Sequence, residues 1–209
     1  MKKIRATLAQ DPQLAAWLDR VKLEELQKQN GLFQYLIRSI IAQQLSTKAA
    51  RTIESRFEQW IESRFEPRFL MSCSPEFMRE AGISYQKANY IIGASEAFAE
   101  CDYSDEALHK MDDATLIRAL TSIKGVGPWT AEMMLIFAMA RTDVFPVDDL
   151  GIQQSMASLY GWKDLSKKEL KSHMIRQAER WRPYRSYATL LLWKIRDGAY
   201  NGMEGSVTT

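Results

Sequence analysis

Apolar residues in this chain recur every three or four positions, and no segment shows the strict alternation of a half-buried strand. That pattern predicts an all-α fold of about ten helices. Asp11-Pro12 opens a first helix with Leu14, Trp17, Leu18 and Val21 on one side, and Gly31 breaks the chain ahead of a helix over 32–45. Ser46 or Thr47 caps a helix reaching about 64, with Ala49, Ala50, Ile53, Phe57 and Trp60 inward. Ser74-Pro75-Glu76 starts a short helix ending at Gly82, and Ser84 starts another with Ala88, Ile91, Ile92, Ser95 and Phe98 along one face. Asp113 is expected to cap a helix to 122. Ser166 with Glu169 forms a capping box ahead of a helix to about 181, and Pro183 separates it from a last helix over 184–196. Residues 201–209, with two glycines, read as a loose tail.

One stretch departs from plain amphipathic patterning. Gly125-Val126-Gly127-Pro128 places two glycines, each able to take positive φ, before a proline suited to the first position of a helix running to about 140. A glycine turn feeding a helix N-terminus gathers backbone N–H groups and the positive end of the helix dipole, which favours an anion such as phosphate. Further on, Asp149 precedes Leu150-Gly151-Ile152. On pattern alone it is the N-cap of the next helix. The intervening segment is long enough, at up to about 26 Å when extended, for Asp149 to return towards Gly127 and Trp129. A cap and a functional carboxylate both fit.

The runs Ile123-Lys124-Gly125-Val126-Gly127-Pro128-Trp129-Thr130-Ala131 and Asp143-Val144-Phe145-Pro146-Val147-Asp148-Asp149-Leu150-Gly151-Ile152 resemble the helix-hairpin-helix base-excision DNA glycosylases. Within them the chain is most similar to the 3-methyladenine DNA glycosylase II branch. The resemblance implies one glycosylase domain over 1–209 with the hairpin at 121–131. Its lobes would be formed by about 1–50 plus 146–209 and by about 51–145; the larger relatives carry an additional N-terminal β-rich domain, and here the chain is expected to depart from them and have none. It puts the catalytic carboxylate on Asp149 rather than Asp148. Trp129 and Trp193 would line the base pocket with Met133 and Leu150, the last two standing where relatives can carry tyrosine. Gly125, Gly127, Lys124, Thr130, Lys48 and Arg51 would meet DNA phosphates.

The loop Gln43-Gln44-Leu45-Ser46 is on its own a short polar connection between helices. In similar glycosylases it enters the minor groove, so that Gln44 or Leu45 would be the wedge and Ser46 would touch the opposite groove edge. Strand-cleaving relatives place a lysine at the position of Trp129, which implies a monofunctional enzyme without lyase activity. The substrate implied is double-stranded DNA carrying alkylated purines, 3-methyladenine and 7-methylguanine. A helix-hairpin-helix DNA-binding protein without catalysis is the alternative.

Composition narrows the remaining classes. The 209 residues are 46% hydrophobic with a formal net charge of +2, so affinity for nucleic acid must come from local clustering. Cys73 and Cys101 are too few for an iron–sulfur cluster, and two histidines add little towards structural zinc, so no metal or cofactor is expected. No apolar run has the length of a signal peptide or membrane span, which predicts an intracellular protein, in cytoplasm, nucleoid or nucleus, not bound to membrane. A monomer is expected.

Overall fold

The computed structural model describes residues 1–62, 64–101 and 103–202, with side chains through 198. All regular structure among them is helical. Packing divides the chain into two units, residues 1–27 with 140–209 and residues 28–139. The segment 28–50, expected with the chain ends, therefore packs with the hairpin. Among the described residues no helix is long and apolar enough to cross a membrane.

The middle unit contains α3 (Leu32–Ala42), α4 (Thr47–Ile61), α5 (Pro67–Met71), α6 (Pro75–Glu80), α7 (Tyr85–Glu100), α8 (Asp105–Lys110), α9 (Asp113–Thr121) and α10 (Pro128–Met133). The last continues as a π-helical turn, Met134–Ala138. Ser46, Ser74, Ser84 and Ser104 each cap a helix by accepting a hydrogen bond from a backbone N–H three residues on. Helix α3 is finished differently. Its N-cap Gly31 has φ 80° and no side chain, and the Asp105 carboxylate supplies the cap by accepting from Gly31 N–H (2.7 Å) and Leu32 N–H (3.0 Å). At its other end Lys87 Nζ donates to Ile41 O and Gln43 O, both at 2.7 Å. Burial lowers the Lys87 pKa. These ties stop α3 at Ala42, three residues short of the expected end, and leave Gln44 in the left-handed region at φ 57°.

The terminal unit contains α1 (Lys2–Leu8), α2 (Pro12–Leu18), α11 (Leu150–Leu159), α12 (Lys167–Ala178) with a 3-10 turn Glu179–Trp181, and α13 (Arg185–Gly202). Leu8, Leu14, Ile152, Met156, Met174, Trp181 and Leu191 share its apolar core. Asp11 is the polar centre of that core. Besides capping α2 through Gln13 N–H (3.0 Å), it accepts from Tyr160 Oη (2.6 Å), Gln177 Nε2 (2.6 Å) and Trp181 Nε1 (2.9 Å). Burial, and then the Asp11 carboxylate, hold the Tyr160 phenol well above its ordinary pKa range.

Several boundaries differ from the sequence reading. The cap of α9 is Asp112, whose side chain accepts from Thr115 N–H, so Asp113 is the first helical residue. Helices α1, α5 and α8 were not expected, and α13 extends six residues beyond 196 to take in Asn201 and Gly202. The remainder of the expected tail, 203–209, lies outside the described residues.

Candidate active site

The two candidate regions lie in different units. In the terminal unit, Asp149 is the N-cap of α11 with extended backbone (φ −67°, ψ 121°), and it is 9% exposed. Its Oδ1 accepts from Ile152 N–H at 2.8 Å and from the indole Nε1–H of Trp193 at 3.0 Å. The cap and the held carboxylate are thus the same group. The neighbouring Asp148 is half-exposed and its carboxylate pairs with Lys171. Gln153 supports the turn from below by donating Nε2–H to Val147 O at 2.9 Å, and Ser155 Oγ ties α11 to α13 by donating to Leu192 O at 2.7 Å. Leu150, the first residue of α11, is 67% exposed.

Trp193 was expected to offer its ring to a base. The structure shows that its N–H donates to the Asp149 carboxylate. Two residues not singled out from sequence complete this region. Gly151 leaves space that the Arg196 guanidinium occupies, so that a Cβ there would run into Arg196. Arg196 in turn pairs with Asp197 at 2.8 Å.

In the middle unit the hairpin joins α9 to α10. Val126 N–H donates to Ile123 O at 3.0 Å, Gly125 takes φ 91°, and Gly127 is the N-cap of α10 at φ −88°. Only the first glycine therefore uses the left-handed region. A Cβ on it would also meet the ring of Tyr90, whereas one on Gly127 would meet open space. The first turn of α10 closes with Ala131 N–H on Gly127 O at 3.1 Å, and the N–H groups of such a first turn point out along the helix axis. Lys124 is exposed beside this turn and Trp129 is 46% exposed on its first helical turn.

Thr130 does not meet the solvent as expected of a phosphate ligand. It is 5% exposed, and its hydroxyl lies 3.5 Å from Gln43 Nε2, which also donates to Gly125 O at 3.0 Å. Any contribution of Thr130 to an anion comes from backbone. Met133 is 7% exposed, on the inner side of α10. Gln43 thereby ties the loop after α3 to the hairpin, and Gln44, Leu45 and Ser46 stand exposed next to it. The Ser46 hydroxyl accepts from Ala49 N–H at 3.3 Å and so caps α4. Lys48 and Arg51 are exposed on the first turns of α4. A groove of about 390 Å³ is lined by Gln43, Gln44, Gln86, Lys87, Tyr90 and the residues 125–127. Sequence pattern marked the second glutamine; the first, and Tyr90 under the turn, are visible only in three dimensions. No group of side chains suited to hold a metal ion occurs among the described residues.

Residues 37–183 match the HhH-GPD superfamily of base excision DNA repair proteins. A Bacillus subtilis relative is 31% identical over 171 residues, 78% of this chain, and the chain spans 58% of that protein's length. Among solved structures, the DNA-3-methyladenine glycosidase of Bacillus halodurans superposes with a TM-score of 0.85 at 34% identity, covering 97% of this chain and 92% of the other. The 3-methyladenine DNA glycosylase of Schizosaccharomyces pombe, solved in complex with abasic DNA, superposes with a TM-score of 0.76 at 29% identity, covering 92% and 95%. By matched length and by fold, this chain belongs to the HhH-GPD superfamily of base excision DNA repair proteins.

Proposed function

We propose that this protein is a monofunctional DNA glycosylase that removes alkylated purines, 3-methyladenine and 7-methylguanine, from double-stranded DNA and leaves an abasic site. The observation that carries the reading is the state of the two adjacent aspartates. Asp148 is taken up by Lys171, while Asp149 is fixed by a backbone N–H and an indole N–H. A helix cap alone does not require the tryptophan, and a DNA-binding module has no use for a carboxylate presented to a polyanion.

Alkylation at N3 or N7 makes the purine cationic and a good leaving group. Once the nucleotide is extruded from the duplex, the bond from C1′ to the base breaks with both electrons passing to the base, and the sugar becomes oxocarbenium-like. A fixed carboxylate stabilises that charge, and it orients the water whose oxygen joins C1′ and whose proton is released. The hydrogen bonds from Ile152 and Trp193 hold the oxygen in place before reaction, so little reorganisation is needed. The reaction balances with water alone and calls for no cofactor. The exposed ring of Trp129 suits a cationic base through its electron-rich face, and no lysine stands at that position to form a Schiff base with the sugar.

The Gly125 turn and Lys124, with Lys48 and Arg51, supply phosphate contacts, and Gln44 or Leu45 fills the vacated stack. The protein acts as a monomer on DNA within the cell. Incubation with methylated duplex DNA, followed by chromatography of released bases and by gel analysis before and after alkali, tests the reading. Free 3-methyladenine with strand breaks only after alkali is expected. Tight binding with no base released would instead make this a non-catalytic DNA-binding protein.

A further inference from the structure

Arg196 follows Trp193 by three residues on α13, so the two side chains leave the same face of the helix. Trp193 reaches Asp149 Oδ1, and Arg196 reaches over Gly151, the second residue of α11. The point that a Gly151 Cβ would occupy lies 3.1 Å from Asp149 Oδ1 and 1.9 Å from Arg196 Nη1. The missing side chain of Gly151 therefore leaves room for a cation near the carboxylate, without an ion pair between them. Arg196 Nε and Nη2 both donate to Asp197 Oδ1, at 3.0 and 2.8 Å, which fixes the plane of the guanidinium. Its Nη1 bonds none of the described residues, and the side chain is 35% exposed.

A cation at the positive end of a helix is unfavourable without anions beside it. Asp197 pairs with it here and Asp149 lies nearby, yet Nη1 is left without a partner among the described residues. That donor sits where the electrostatic problem of the proposed reaction is greatest, because a nucleotide whose sugar approaches Asp149 carries phosphates that the carboxylate repels. We propose that Arg196 binds the phosphodiester of the extruded nucleotide, with Nη1 taking a phosphate oxygen while Asp197 holds the rest of the guanidinium. The inference rests on the glycosylase reading and adds a phosphate ligand on α13, separate from the hairpin.

The test uses duplexes carrying a tetrahydrofuran abasic analogue, which has no bond to hydrolyse, and undamaged duplexes of the same sequence, each titrated across a series of salt concentrations. Arg196→Gln should bind the analogue about tenfold more weakly and lower the slope of log K against log salt by about one, with undamaged duplex unaffected. Gly151→Ala keeps the charge but pushes the guanidinium aside, so it should lose affinity for the analogue; it also serves where Arg196→Gln alters folding. An unchanged affinity and slope for both variants, or an equal loss on undamaged duplex, would overturn the assignment. Release of methylated bases by the unsubstituted protein is scored in parallel. Its absence sinks the glycosylase reading, whereas an active protein whose Arg196→Gln variant binds normally sinks only the role of Arg196.

Discussion

At the start of α11 the atom proposed to act belongs to a side chain, the Asp149 carboxylate, held by Ile152 N–H and Trp193. At the start of α10 the atoms offered are backbone N–H groups, positioned by Gly125 at φ 91°, by Tyr90 beneath it and by the Gln43 bridge. A region built on one side chain depends on that residue's chemistry and tolerates little change in charge. A region built on backbone depends on conformation, and any residue that keeps the turn will serve. On the proposed reading the two should fail differently when substituted, one in the rate of chemistry and the other in binding to all DNA.

The sharpest contrast lies between neighbours. Asp149→Asn keeps the shape and much of the capping ability but removes the charge, so single-turnover excision of 3-methyladenine should fall by roughly 100-fold or more while the melting temperature stays close to that of the parent. Asp148→Asn loses only an exposed pair with Lys171 and should excise at near parental rate. Full activity of the first and inactivity of the second would put the catalytic carboxylate one residue upstream.

Asp11 offers the same cap signature in the same unit and predicts the reverse outcome. Three side-chain donors converge on its carboxylate, Trp181 from within the core. Asp11→Ala leaves them without their acceptor, which should cost about 3 kcal/mol or more in urea unfolding. The excision rate of the folded fraction should be unchanged. Loss of rate without loss of stability would mean that this network, too, reaches the chemistry.

How much of this was legible follows from the range of each interaction. Caps written within four residues were readable, as with Ser46, Ser84, Asp149 and the Ser166–Glu169 box, in which Glu169 returns a bond to Ser166 N–H at 3.0 Å. Ser104 with Asp105 and Glu106 behind it carries the same pattern, so α8 was there to be found. Helix α1 has no side-chain cap and α5 only a proline, and both escaped. The end of α3 is decided by Lys87 and its start by Asp105, residues distant in sequence, so periodicity carried the helix too far. The partnership of Trp193 with Asp149 and the seat of Arg196 over Gly151 depend on how α13 packs on α11. The residues were visible as types, and their partners were not.

The backbone region separates its two glycines. Gly125→Ala must adopt positive φ and displace the Tyr90 ring, so it should lose about 1–2 kcal/mol and bind damaged and undamaged duplexes several-fold more weakly. Gly127→Ala has ordinary backbone angles and open space for its Cβ, and both measurements should stay near those of the parent. Equal damage from both substitutions would mean that close approach of DNA to Gly127, rather than turn geometry, sets the requirement.

The smallest effect is expected where the loop after α3 is held. Lys87 spends its ammonium on Ile41 O and Gln43 O, which fixes the chain just before Gln44 and Leu45, and Gln43 fixes it to the hairpin from the other side. Lys87→Met keeps most of the stem but leaves two carbonyls to be solvated at a half-buried site, so the loop should loosen without unfolding. Excision should drop a few-fold, because a wedge with a less defined position holds the base out of the stack less well. The salt dependence of binding to undamaged duplex should not change, since an ammonium already engaged by carbonyls neutralises no phosphate. A slope lower by about one in Lys87→Met would show that this lysine contacts the DNA backbone and that the loop owes its position to Gln43 alone.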